Sequence, residues 1–379
     1  MKPTTVRSGA ADHPAPDEWP LVQLLSPAGE RALDPDYAFG GDRADIEALY
    51  RDLVMTRRVD TEAFALQRHG ELGLWPPSLG QEAAQVGSAR ALRKHDYAFP
   101  TYREHGVVWC RGIDPVRLLG LYRGSEMGGW DPAAHQLALP NIIIGSQTLH
   151  ATGYAMGLAL EGLVGTGDPD RDSAVIVYFG DGATSQGDVS EALDWAAVHQ
   201  SPVVFFCQNN QYAISVPVAA QSRVPIAQRA SGFGLPGIRV DGNDVLACHA
   251  VTDRALQRAR DGQGPTLIEA VTYRMGPHTT SDDASRYREP AEVDAWKAKD
   301  PLDRVRTLLE SEGTSSAFFS DLEAEADALG ARLREACRLI PEPDLALLFD
   351  QIFVDSTDEN QQQKAEYIAW RASLEGSIG

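Results

Sequence analysis

No uninterrupted apolar stretch in this 379-residue chain approaches the roughly 20 residues a membrane-spanning helix needs, and the N-terminus lacks a charged-then-apolar leader pattern. Asp12, Asp17 and Glu18 also disfavour a transit peptide. These absences lead to the expectation of a cytoplasmic protein. Cysteine is scarce: Cys110, Cys207, Cys248 and Cys337 are scattered with no C-x-x-C pair, which argues against a disulfide framework or a structural zinc and suits a reducing compartment. Positive charge is short too. Lysine and arginine total 34 against 54 acidic residues, a formal charge of −20, so the chain as a whole would not grip nucleic acid or anionic lipid. An anionic ligand must therefore be met by local positive charge. What the chain does have is 43% hydrophobic residues, enough to bury a substantial core.

The first 40 residues carry Pro3, Pro14, Pro16, Pro20, Pro27 and Pro35 without sustained periodicity and read as a flexible or surface-draped arm. From Asp42 the pattern turns helical, with Ile46, Leu49, Tyr50, Leu53 and Val54 at three- and four-residue steps and the same face continuing to residue 67. Residues 147–163 are rich in Gly and Ala, as in a helix that approaches its neighbours closely, and are expected to be buried on several sides. Residues 174–179 and 203–207 are short continuous apolar runs typical of parallel strands covered on both faces, with a helix over 187–199 between them. Another helix, 245–260, and another strand, 266–273, follow. The fold class is α/β, a parallel sheet flanked by helices, and the chain beyond Pro290 is helical over 291–310, 318–339 and 361–374.

In open parallel sheets ligands sit beyond the carboxyl ends of the strands, which is where the loops Gly180-Asp181-Gly182 and Asn209-Asn210-Gln211-Tyr212 fall. The glycines let the backbone turn tightly, and the helix that follows aims its free N–H groups at an anion; a diphosphate would fit. Asp181 would repel a bare pyrophosphate, so a divalent cation is implied between them. Magnesium takes one or two oxygens from protein, and Asp181, the side-chain oxygen of Asn210 and the carbonyl of Tyr212 can supply that minimum. A dinucleotide fingerprint fails because its third glycine position is Ser185, and Walker, H-E-x-x-H and G-x-S-x-G patterns are absent.

GDG followed after residues 183–208 by NN resembles the thiamine diphosphate motif. The segments GELGLWPPSLGQEAAQVGSA, FPTYREHGV, IRVDGNDVLA, GPTLIEAVTYR and GPHTTSDDASRYR resemble alpha subunits of the branched-chain 2-oxoacid dehydrogenases and the related pyruvate enzymes, over about residues 42–310. The resemblance implies a thiamin diphosphate-binding fold over 41–290, preceded by the arm at 1–40 and followed by a helical region at 291–379. It implies oxidative decarboxylation of branched-chain 2-oxoacids, with pyruvate as the alternative substrate, and transfer of the acyl group to a lipoylated acyltransferase core. TSDD-x-S-x-Y-R favours the branched-chain type.

Carried over residue by residue, the resemblance places Tyr102 and Arg103 at the diphosphate, Gly180, Asp181, Gly182 and Ala183 in the turn beside it, and Asn210 and Tyr212 at the magnesium with Asp181. Ile144 falls under the cofactor, although Ile142-Ile143-Ile144 alone would read as strand or core. Arg274 is a loop-ordering or phosphate-side arginine. His278 is the histidine expected to donate or move protons near the reacting centre. Thr279, Thr280 and Ser281 occupy the loop phosphorylated in mitochondrial relatives. Here the residue after His278 is Thr rather than Ser, and all three read as hydrogen bonders that order the loop. The glutamate that addresses the aminopyrimidine ring is expected from a beta subunit, in an alpha-two beta-two heterotetramer. A nicotinamide or flavin enzyme would need a dinucleotide loop, and a non-catalytic relative would not need Asp181, Asn210 and His278 intact.

Overall fold

A computed structural model describes residues 19–126, 128–344 and 346–375. Residues 1–18 of the expected arm lie outside them. The first long helix, α1 (Arg43–Arg68), starts at a capping box: the Asp42 side chain accepts from the Asp45 N–H, and the Asp45 side chain accepts from the Asp42 N–H. Then come α2 (Glu82–Arg90), β1 (Tyr97–Phe99), α3 (His105–Cys110), α4 (Pro115–Arg123), α5 (Pro132–His135) and α6 (Ser146–Leu160). The central unit is β2 (Val175–Gly180), α7 (Gly187–His199) and β3 (Val203–Asn209), followed by a small hairpin of β4 (Tyr212–Ala213) and β5 (Val216–Pro217). After α8 (Ile226–Arg229), β6 (Gly237–Asp241), α9 (Val245–Arg260) and β7 (Thr266–Val271) complete the sheet. The rest is helical: α10 (Pro290–Lys297), α11 (Pro301–Ser311), α12 (Ser316–Leu339), α13 (Leu347–Asp350) and α14 (Asp358–Glu375). Among the described residues no helix is long and apolar enough to cross a membrane.

The main sheet is parallel throughout, in the order β1-β2-β3-β7-β6. Its continuous apolar strands follow from cover on both faces. Val175, Val177 and Phe179 of β2 join one core with α6 and α7, while the alternate Ile176 and Tyr178 join a second core with α1, α2 and α9. Strands β1 to β3 are laid down in chain order. The chain then crosses to β6 at the far edge, and β7 returns to fill the gap. The order therefore reverses between β3 and β7, and the loops beyond their carboxyl ends part to leave a crevice.

Several expectations are corrected. Residues 19–40 take the surface-draped rather than the flexible form of the expected arm: Val22 makes a parallel bridge to Val240, Leu24 and Leu25 are buried, and both their N–H groups donate to Asp244 at 2.6 Å. The short run Val22–Leu25 between prolines is too brief to show periodicity, yet it finishes the sheet edge. Helix α6 is not buried on several sides, because Leu149, Tyr154 and Leu160 are exposed and a Cβ at Gly153 or Gly157 would meet open space. The helix expected over 291–310 is two helices, since Pro301 starts α11 under an Asp300 cap. Ile142 and Ile143 lie in an exposed loop, not in a strand or the core.

The Asp96 carboxylate, just before β1, accepts from the Ala174 N–H at 2.9 Å and pairs with the Arg260 guanidinium at the end of α9, both side chains fully buried. Asp96→Ala should leave that guanidinium buried without its counter-charge and lower stability by about 3–5 kcal/mol. Urea unfolding of the variant measures this, and a loss below about 1 kcal/mol would refute the role given to the pair.

Candidate functional site

The crevice beyond β2, β3 and β7 is lined by Tyr102, Arg103, Ile144, Gly180, Asp181, Gly182, Ala183, Asn210, Tyr212, Arg274 and His278. Every residue singled out in the sequence for this site thus meets in one cleft, drawn from loops far apart in the chain. Gly180 has an ordinary extended φ of −89°, and a Cβ there would meet nothing within 4 Å, so its bare side leaves room in the cleft. Gly182 is required by packing instead: a Cβ would stand 2.7 Å from that of Ala213, on the hairpin after β3. The helix following the turn does not start there. A 3-10 stretch, Asp181–Ser185, intervenes before α7.

The charges in the cleft lack counter-charges. Arg103 and Arg274 are 5% and 1% exposed, and among the described residues neither forms an ion pair with a carboxylate. Arg274 donates to the carbonyls of Tyr212 (3.0 Å) and Ile214 (2.7 Å) and to the Tyr287 hydroxyl (3.1 Å), while its buried Nε has no partner. Burial and the neighbouring positive charge of Arg103 pull its pKa below the usual value. Two buried guanidiniums in this state call for an anion. Asp181, 1% exposed, takes one side-chain hydrogen bond, from Gln221 Nε2 at 3.0 Å, and burial pushes its pKa up to about 6. A cation beside it would reverse that cost. Among the described residues no cluster of three or more His, Cys, Asp or Glu side chains could hold a metal. The oxygens at hand are one carboxylate, the Asn210 amide and the Tyr212 carbonyl, the last already accepting from Arg274. That set suits a hard cation that keeps other ligands from water or phosphate.

His278 is fixed by Arg103. The guanidinium donates from Nη2 to His278 Nδ1 at 3.1 Å and to the His278 carbonyl at 2.9 Å, and from Nη1 to the Pro77 carbonyl at 2.6 Å. Nδ1 is therefore an acceptor, which leaves the hydrogen of the neutral ring on Nε2. Burial first, then the charges of Arg103 and Arg274, push its pKa down to about 3. Tyr102 stands edge-on to the same ring, centroids 6.2 Å apart. In the loop beyond, Thr280 is tied to the Trp75 backbone by two hydrogen bonds, Thr279 and Ser281 share one at 2.9 Å, and the His278 N–H donates to Asp282 at 2.7 Å.

Four polar residues of this region escaped the sequence reading. Gln81, Gln85, Glu104 and Gln208 are buried and hydrogen-bonded to one another beneath the cleft, and Gln81 also bonds Asn210. Gln81 precedes α2 without capping it through its side chain. Nothing in the sequence says where that side chain goes.

A parallel sheet with a polar, charge-bearing crevice at its switch point defines a ligand-binding α/β protein. Residues 50–338 match the dehydrogenase E1 component family, and the chain belongs to it. It is 47% identical over 347 residues to the 3-methyl-2-oxobutanoate dehydrogenase subunit alpha of Mycobacterium tuberculosis, covering 91% of this chain and 92% of that one. It is 40% identical over 298 residues to the pyruvate dehydrogenase E1 component subunit alpha of Staphylococcus aureus, covering 77% of each.

Because the native pKa of His278 is depressed, the unfolded chain takes up a proton below about 6.5 that the native site refuses. This residue therefore weakens folding as pH falls from about 6.5 towards 3, and contributes no pH dependence above that window. Nitrogen-15 spectra should show His278 neutral, with its hydrogen on Nε2, from about pH 5 to 8. A midpoint near 6.5 would contradict the arrangement.

Proposed function

We propose that this chain is the alpha subunit of a 3-methyl-2-oxobutanoate dehydrogenase (2-methylpropanoyl-transferring). The enzyme decarboxylates branched-chain 2-oxoacids such as 2-oxoisovalerate, in branched-chain amino acid catabolism, and reductively acylates the lipoyl group of an acyltransferase core. The observation that carries this reading is identity of 47% sustained over 91% of the chain to a subunit of that name. The cleft that gathers the expected residues supports it.

In this reading residues 41–290 form the diphosphate-binding half and 291–379 a helical extension. Arg103, Tyr102 and Arg274 hold the diphosphate of thiamine diphosphate, with Gly180, Gly182 and Ala183 giving it room. Asp181, the Asn210 side-chain oxygen and the Tyr212 carbonyl would hold Mg2+, and Ile144, which lines the same cleft, would pack against the cofactor. Thiamine diphosphate, when bound, supplies the nucleophilic carbon and the electron sink that decarboxylation requires. His278, kept neutral by burial and then by the charges of Arg103 and Arg274, presents Nε2–H as a donor at the reacting centre.

Glu104 is the one glutamate lining the cleft among the described residues, and both its oxygens are engaged within the chain. The glutamate for the aminopyrimidine ring therefore comes from a beta subunit, in an alpha-two beta-two assembly that works in the cytoplasm. Exposed Ile142 and Ile143 beside the cleft, with Leu149, Leu160, Trp195 and Val198 on α6 and α7, offer an apolar face for that partner.

The chain co-purified with its beta partner, given thiamine diphosphate and magnesium, should turn over 2-oxoisovalerate with kcat/KM about 10-fold or more above pyruvate, a difference of about 1.4 kcal/mol. Preference for pyruvate would move the assignment to the activity named for the Staphylococcus relatives. Asp181→Ala should weaken metal binding by more than the roughly 10–100-fold that loss of an outer-shell partner costs. Unchanged metal affinity in titrations of that variant would remove Asp181 from the site.

A further inference from the structure

The buried amides beneath the cleft form a chain with a direction. At one end the Glu104 carboxylate takes three donors: the Thr101 N–H and the Thr101 hydroxyl on Oε2, and Gln208 Nε2 at 2.6 Å on Oε1. A carboxylate receiving three donors is an acceptor only, so Gln208 must turn its NH2 towards it. The Gln208 oxygen then faces the other way and accepts from Gln81 Nε2 at 3.0 Å and from Gln85 Nε2 at 3.1 Å. Gln81, with its NH2 so committed, has only its oxygen left, and that oxygen accepts from Asn210 Nδ2 at 3.0 Å. Asn210 in turn faces the cleft with Oδ1, which also accepts from the Tyr212 N–H at 3.3 Å. Gln81, Glu104 and Gln208 are 1%, 3% and 2% exposed, so water does not compete for these bonds.

A primary amide is nearly symmetric in shape, and its partners alone decide which end is oxygen. For a cation the difference is total, because an NH2 facing it repels where an oxygen binds. We propose that Glu104, acting through Gln208 and Gln81, is a positioning residue that fixes the Asn210 amide with its oxygen towards the metal. The inference rests on the metal assignment made above for Asp181, Asn210 and Tyr212. It adds that a carboxylate three hydrogen bonds away sets the polarity of one of those groups. Gln85 locks the relay from the side: its Nε2 also donates to the Arg103 carbonyl at 3.0 Å, and its Oε1 accepts from the Gly106 N–H at 2.8 Å.

The relay makes a prediction that a merely structural role for Glu104 does not. Glu104→Gln removes the carboxylate's demand on Gln208, because the introduced group can donate as well as accept, and leaves the direction of the relay to Gln85 and the Tyr212 N–H alone. Asn210→Asp imposes the opposite polarity from the other end: its carboxylate needs the Gln81 NH2, which forces the Gln208 oxygen against Glu104. Together the two substitutions remove the clash at residue 104 that Asn210→Asp alone creates, leaving the Gln85 amide as the one donor turned against a donor.

The test is Mn2+ affinity, followed by electron paramagnetic resonance, of the complex with its beta subunit and thiamine diphosphate, for the parent, both single variants and the double variant. Thermal melts of the same samples check folding. Glu104→Gln should weaken Mn2+ roughly 10-fold, within the range for an outer-shell partner, and Asn210→Asp at least as much. The double variant should bind roughly 10-fold more tightly than Asn210→Asp alone. A double variant as weak as the two losses combined overturns the relay while leaving the metal site standing. A parent complex that binds no Mn2+ at all overturns both.

Discussion

Arg103, Arg274 and the Asp181 carboxylate share one crevice without ion-pairing, beside a Glu104 carboxylate filled by neutral donors, and that frustrated arrangement governs the cleft. Arg103 and Arg274 spend their donors on backbone carbonyls, a tyrosine hydroxyl and the ring of His278, all neutral groups. Asp181 is left with a glutamine. A buried ion without a counter-ion costs several kcal/mol, so a chain that keeps three at one place holds them for something that binds there. A diphosphate with a divalent cation carries both missing signs at once. Ligand binding would then stabilise the native fold by linkage as well as complete the site.

The parts of the fold legible in the sequence are those in which local pattern and tertiary environment agree. β2, α7 and β3 could be read because fully covered strands are continuous apolar runs and α7 has a turn at each end. The helix over 187–199 stands where the pattern puts it. β1 is three residues long, and β6 mixes buried Val240 and Asp241 with exposed Gly237, so neither shows a strand signature. The open face of α6 was misread because Gly and Ala mark close approach without saying to what.

The site divides in the same way. Asp181, Asn210 and His278 were recognisable because each carries chemistry at a strand end or in a motif. The relay of Gln81, Gln208 and Glu104 was not, since each of its three links joins residues more than 100 apart in the chain and amides announce no function by type. Only the fold, which brings the start of α2, the end of β3 and the start of α3 together, turns them into a unit.

The strap at residues 22–25 has a bearing on how the sheet meets other chains. A parallel sheet exposes two rows of backbone groups at its margins, and a bare margin is a template on which other chains can zip into aggregates. Here Val22 exchanges backbone bonds with Arg239 and Asp241 along β6, and on the opposite margin Ala98 of β1 bonds Gln136 and Ala138. Both rims are hemmed. The apolar side chains that α6 and α7 leave in water fit only a matching shape, whereas bare strand backbone fits any strand, so a chain with both rims hemmed stays selective in what it binds.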